Sequence, residues 1–211
     1  MSTKLLSLEA AKRNAILNAA LKEFALKGFD KASTNTIARD AKLSKPLMFH
    51  YVDNKQALFL SVYDYFSDLL DKEYFMKIDF TEKDIFDRLR QSYLLQIELI
   101  KLHPWIFEFS KLSCATNSED LNKKLEARAT KKQSSCENTL FKAIDESKFR
   151  KGLNIEKCMQ FILWANVGFT NQILDDIRNS GTNAMDYDLI VKKLDDYFDE
   201  LRKVFYTPSE G

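Results

Sequence analysis

Five glycines and three prolines punctuate 211 residues, and that scarcity constrains the fold more than any other feature. A many-stranded sheet needs turn residues every few positions, so long stretches without breakers favour helices. The apolar pattern agrees. Over residues 8–27, Ala11, Ala15, Ile16, Ala19, Ala20, Phe24 and Leu26 recur near helical spacing, with Ser7 placed to cap the start and Gly28 to stop the end. Comparable stripes predict helices over 81–102, 104–115, 118–147, 154–179 and 186–205, separated at His103-Pro104, Gly152 and Gly181. No sheet signal, internal repeat or low-complexity tract interrupts them. The expectation is an all-α chain of about nine helices.

Between Gly28 and residue 60 the predicted elements shorten. Ser33 or Thr34 caps a short helix carrying Ile37, Ala38 and Ala41, and a tight break follows at Lys42-Leu43. Ser44 caps a second short helix through Tyr51, and Asp53 or Asn54 opens a long one through Leu58, Val62, Phe66, Leu69 and Leu70. Two short helices joined by a three- or four-residue turn make a helix-turn-helix. Pro46 sits inside the second, in the stretch LSKPLMFHYVDNK (43–55). In a helix interior it would remove a hydrogen bond and clash with the preceding turn. Counted from Ser44, it falls in the first turn, where backbone N–H groups have no intrahelical acceptor.

In that helix Leu43, Met48 and Val52 face inward, leaving Lys45, Leu47, Phe49, His50 and Tyr51 on the remaining arc. Such a mixed face suits either the core of a small helical domain or a DNA major groove, which offers base edges, thymine methyls and phosphates together. The charge distribution favours a polyanion as partner. Residues 1–55 carry +5 and the remainder −4, within a net charge of +1.

Other classes have little to stand on. A di-iron bundle needs Glu-x-x-His pairs, but Leu47 precedes His50 and Ile100 precedes His103 at that distance. No HExxH, GxGxxG or GxxxxGK[ST] motif occurs, so neither enzyme nor cofactor is expected. Cys114, Cys136 and Cys158 are odd in number and far apart, and read as free thiols. No apolar run nears the roughly 20 residues that span a bilayer. The N-terminus lacks the apolar core and cleavage site of a secretory signal, so a cytoplasmic location without membrane contact is expected.

Residues 16–59 resemble the DNA-binding domain of the tetracycline-repressor (TetR) family. The resemblance rests on an alanine-rich first helix ending Phe-x-x-Lys-Gly-Phe (Phe24 to Phe29), then Thr34, Ile37-Ala38, Leu43-Ser44, an aromatic pair, Asn54-Lys55 and Leu58, without insertion. It implies a helix-turn-helix DNA-binding domain over 1–53 and a larger helical ligand-binding and dimerisation domain over 54–211. The implied protein is a transcriptional regulator, by family habit a repressor, that binds a near-palindromic operator as a homodimer and is released by a small molecule. A helical ligand-sensing or adaptor module without operator-specific binding is the competing expectation.

By the same resemblance, Thr34 and Thr36 would meet phosphate. Lys45 would enter the major groove, and Leu47 and Phe49 would lie at base-reading positions. His50, Tyr51 and Lys55 would reach phosphates, Lys55 aided by the positive end of its helix. Three positions depart from the family pattern. Pro46 replaces a small residue, Phe49 a frequent tyrosine, and Val52 a phenylalanine. With Leu47 and Phe49 in place, readout leans on methyl contacts and DNA shape. The implied effector pocket draws on Trp105, Phe109, Phe161, Trp164, Asn166 and Phe169. The implied dimer interface draws on Ile162, Phe169, Ile173, Ile190, Leu194, Tyr197 and Leu201.

Overall fold

The computed structural model describes residues 3–110, 116–129, 140–179 and 186–208. Among these are nine α-helices of five or more residues, one four-residue α-helix, two short 3-10 helices (Phe75–Lys77 and Glu146–Lys148), and no strand. They run α1 (Thr3–Leu6), α2 (Ala10–Lys31), α3 (Thr34–Asp40), α4 (Lys45–Tyr51), α5 (Lys55–Glu73), α6 (Ile85–Leu102), α7 (Ile106–Ser110), α8 (Glu119–Ala129), α9 (Ile155–Asn179) and α10 (Tyr187–Phe205). None is long and apolar enough to cross a membrane. The chain divides into two compact units, one of Met1–Lys77 with Glu98–Ser134, the other of Ile78–Ile97 with Ser135–Gly211.

The first unit is built on α2. Its buried side includes Ile16, Leu17, Ala20 and Phe24, and the unit's core adds Ile37, Met48, Leu58, Val62, Phe66 and Ile106. One sequence expectation changes here. Ser7 does not cap α2. Its hydroxyl donates to the Lys4 carbonyl, and Glu9 holds the cap position without a side-chain bond. Gly28 stops the long helix as the sequence implied, at φ 68°, ψ 176°, and a short second helical segment runs on to Lys31. Lacking a Cβ, glycine takes that left-handed φ at no steric cost, so the chain turns sharply there.

Farther along, Asn18 ties α2 to the end of α6. Its Nδ2 donates to the Leu102 carbonyl at 3.0 Å, leaving Oδ1 to accept from His103 Nδ1–H at 2.7 Å. Burial pushes the His103 pKa down to about 4, so the ring is neutral near pH 7. It packs edge-on against Phe66 at 4.9 Å between centroids.

In the second unit, α6 up to Ile97 packs with α9 and α10 around Phe86, Leu89, Tyr93, Cys158, Ile162, Leu194 and Phe198. Asp84 caps α6 by accepting from the Phe86 and Asp87 N–H groups. Tyr93 donates its hydroxyl to the Asn166 carbonyl at 2.9 Å. Gly152, at φ 87°, separates the turn after Phe149 from α9 as expected. Cys158 is a buried free thiol, whereas Cys114, Cys136 and Gly181 lie outside the described residues.

The stripes assigned to a subunit interface are occupied from within this unit. Ile162, Ile173, Ile190 and Leu194 are buried in the single chain. Phe169 stacks on Tyr197 at 4.2 Å between centroids, and Leu201 packs against the same core. Helical spacing marks a packed seam, but it does not say which chain supplies the other side.

Candidate nucleic-acid interface

Local capping sets the helix-turn-helix. Ser33 Oγ accepts the Thr36 N–H at 3.4 Å and starts α3. The connection follows from three bonds: Ala41 N–H to the Ile37 carbonyl, Lys42 N–H to Arg39, and Leu43 N–H to Ala38, each 2.9 Å. Lys42 sits at φ 56°, which reverses the chain between the helices. Ser44 Oγ then accepts the Leu47 N–H at 3.3 Å, with Pro46 in the first turn of α4 as the sequence implied. Asn54, not Asp53, caps α5 through the Ala57 N–H at 2.8 Å.

Anchorage of α4 is narrow and apolar. Met48 and Val52 are fully buried, and Leu43 is half-buried. Lys45, Pro46, Leu47 and His50 stand outside, with Leu47 38% exposed, while Phe49 and Tyr51 are half-buried. The outward arc therefore presents one ammonium, one imidazole, a proline ring and a leucine. Its apolar groups match thymine methyls, and its cation matches a phosphate or a guanine edge. Thr34 and Thr36 are both half-buried on α3. Since the Ser33 cap takes the Thr36 N–H, Thr36 has its hydroxyl left to offer.

Two features of this face have no local signal in the sequence. Lys12, on α2, donates from Nζ to the Tyr51 hydroxyl at 3.0 Å and lies 5.0 Å from the ring centroid. Glu23 is 8% exposed, and its Oε1 accepts the Ser33 N–H at 2.8 Å, tying the middle of α2 to the start of α3. Lys55 is already engaged. Its Nζ donates to the Asp30 carbonyl at 3.1 Å and lies 4.9 Å over the Phe29 ring.

The residues expected around an effector do not share one unit. Trp105, half-buried, and Phe109, buried, belong to the first; Phe161, Trp164, Asn166 and Phe169 belong to the second. Phe161 and Trp164 are 51% and 57% exposed, on the side of α9 away from the core, so they line no interior of their unit. Asn166 and Phe169 are half-buried, and Phe169 is occupied by its stacking on Tyr197. Among the described residues no cluster of His, Cys, Asp or Glu has the makings of a metal site.

A capped pair of short helices, with the second anchored by two apolar residues and lettered outward with a cation, defines a helix-turn-helix protein of the DNA-binding kind. Comparison with known proteins narrows this. Residues 16–62 match the model of bacterial regulatory proteins, tetR family. Over 57 residues the chain is 40% identical to the uncharacterized HTH-type transcriptional regulator YuxN of Bacillus subtilis (strain 168), a match spanning 27% of this chain and 20% of that protein. The structure of the ketosteroid transcriptional regulator KstR2 of Mycobacterium tuberculosis superposes with a TM-score of 0.61 at 17% identity, covering 95% of this chain and 98% of that one. A TetR family transcriptional regulator from Chloroflexus aurantiacus J-10-FL gives 0.54 at 14% identity, covering 97% of each. At such identities these structures speak for the fold, and the N-terminal match speaks for the domain. Residues 16–62 thus form a DNA-binding domain of the tetR family of bacterial regulatory proteins, and the chain as a whole shares the all-α fold of these structures.

Proposed function

We propose that this protein is a homodimeric, ligand-responsive repressor acting in the cytoplasm on a near-palindromic operator. In this reading residues 1–53 bind DNA, and 54–211 carry dimerisation and the effector response. The observation that carries it is α4, held to its domain by Met48 and Val52 and offering Lys45, Leu47 and His50 to a groove. Thr34 and Thr36 bind phosphate beside it, Phe49 packs against a base methyl, and Tyr51 and Lys55 reach the backbone. Phosphate contacts set affinity and position, whereas the weak hydrogen-bonding code of Leu47 and Phe49 leaves specificity to methyl contacts and shape.

Dimerisation has its own support. At 100° per residue, Leu163, Val167, Trp164, Gly168 and Phe161 fall on one continuous arc of α9, and all are exposed. A Cβ built on Gly168 would meet nothing within 4 Å, so the helix is open to close approach there. On α10, Leu189 and Val204 are exposed as well. An apolar helix arc of this width normally lies against another element. A second copy of the chain fits, because a two-fold axis lets one such arc cover its counterpart. Recognition helices in such a dimer would stand about 34–36 Å apart, one turn of DNA.

The test is selection of duplexes from a random pool by the purified protein, followed by gel shift at two salt concentrations. A recurrent inverted repeat, bound with steep salt weakening and lost on Lys45→Ala with helicity retained, is the expected result. No enrichment of any sequence would favour the adaptor reading instead.

A further inference from the structure

A cavity of about 530 Å³ opens within the first unit, where the end of α2 meets α5 and α7. Pockets for drug-sized ligands span about 300–1,000 Å³, so this one is large enough for such a molecule. Its lining is aromatic on one side. Phe29 meets Phe59 edge-to-face at 5.3 Å between centroids, and Phe59 lies 5.7 Å from Phe109. Tyr63 and Phe66 add two further rings to the same wall.

Charge is unbalanced on the other side. Lys27 and Lys31 line the cavity and are exposed, and neither is in an ion pair among the described residues. The one carboxylate of the lining, Asp30, accepts the Asn117 N–H at 3.0 Å, so two ammonium groups stand against a single acid. Rings that pack offset or edge-on against other rings, next to two ammonium groups, select for a flat apolar body with an anionic end.

We propose that this cavity binds a ring-bearing carboxylate, its rings against Phe29, Phe59 and Phe109 and its carboxylate at Lys27 and Lys31. Its occupant is an effector of the regulator, held by residues of 1–53 as well as of 54–211, a step that rests on the function proposed above and extends its effector site into the DNA-binding segment. Position gives the reason. Residues 28–31 of the lining run directly into Ser33, the cap of α3. Lys55, at the head of α5 just beyond α4, donates to the Asp30 carbonyl and sits over Phe29. An occupant pressing on Phe29 therefore bears on both flanks of the helix-turn-helix. Any difference in its affinity for free and DNA-bound protein appears reciprocally as a change in DNA affinity.

The test uses the full chain, 2-naphthoate, and the uncharged 2-naphthamide in calorimetric titrations. Saturable binding of one naphthoate per chain is expected, with the amide at least tenfold weaker. Lys27→Glu with Lys31→Glu should abolish the preference for the acid. Ser67→Phe, which fills the cavity, should abolish binding of both probes while the thermal melt stays cooperative. Should Ser67→Phe fail to fold, the double lysine variant carries the test. No saturable binding, equal affinity for acid and amide, or binding that survives in folded Ser67→Phe overturns the site. In gel shifts, naphthoate should change DNA affinity at least fivefold; unchanged DNA affinity despite binding overturns the effector role. A protein that binds naphthoate but no duplex at all refutes the DNA-binding reading and leaves the site standing.

Discussion

Lys12 and Tyr51 are joined by a 3.0 Å hydrogen bond across 39 positions of sequence, with the ammonium donating to the phenol oxygen at the end of α4. The bond fixes the tyrosine that closes α4 and brings a second cation to the face proposed to meet DNA. A phenol that accepts from an ammonium is also a stronger donor in turn. Lys12→Ala is expected to weaken operator binding about tenfold, the scale of one charge-assisted bond, and to lower the salt slope by about one. Melting temperature should fall by a few degrees as well, because the bond is part-buried and internal to the folded chain. Salt-titrated gel shifts measure the first two outcomes, and a thermal melt the third.

Glu23 carries a different load. Its buried carboxylate accepts the Ser33 N–H, and α3 hangs from that point. Glu23→Ala leaves the amide without its acceptor, at a cost of about 1–3 kcal/mol. Denaturant unfolding should report a lower midpoint, and Glu23→Gln, which keeps an acceptor oxygen, should recover part of it.

His103 makes stability depend on pH. Its folded pKa is depressed to about 4 by burial, whereas an unfolded histidine titrates near 6.5. Below about 6.5 the unfolded chain therefore holds more protons than the folded one. This contribution is fully present above that pH, declines as pH falls toward 4, and declines no further below it. Unfolding free energies measured from pH 7 to pH 4 should show this descent. In His103→Gln the His103 share of the slope should vanish; an unchanged slope would refute the assignment.

Two residues two positions apart on α9 separate the core from the exposed apolar arc. Trp164 is exposed on the apolar arc, while Ile162 is buried in the unit's core. In the proposed dimer, Trp164→Glu should give monomer in sedimentation where the unsubstituted chain gives dimer, since it places a charge at the centre of the exposed arc. Ile162→Ala should lower stability by about 2–4 kcal/mol through its cavity and leave the oligomeric state alone. A dimeric Trp164→Glu protein would move the interface elsewhere.

The helix-turn-helix was legible residue by residue because its determinants are local. Ser33, Ser44 and Asn54 act on N–H groups three positions on, and Pro46 is acceptable or fatal according to its distance from a cap. The outer end of α2 shows the limit of such signals. A serine near a helix start looks like a cap, yet Ser7 turns back to Lys4. Lys12 and Glu23 carried no readable mark, as each acts on a residue in another helix.

By itself, then, the sequence determined the helical class, the capped motif and the inward residues of α4, all set by periodicity and short-range hydrogen bonding. Only the tertiary structure decided which apolar stripe meets which neighbour. Ile162, Ile173, Ile190 and Leu194 turned inward, and Phe161 and Trp164 were left outside. Hydrophobic burial is non-directional. A helix with apolar residues on two arcs can satisfy either one first, and the choice rests on how the other helices pack around it.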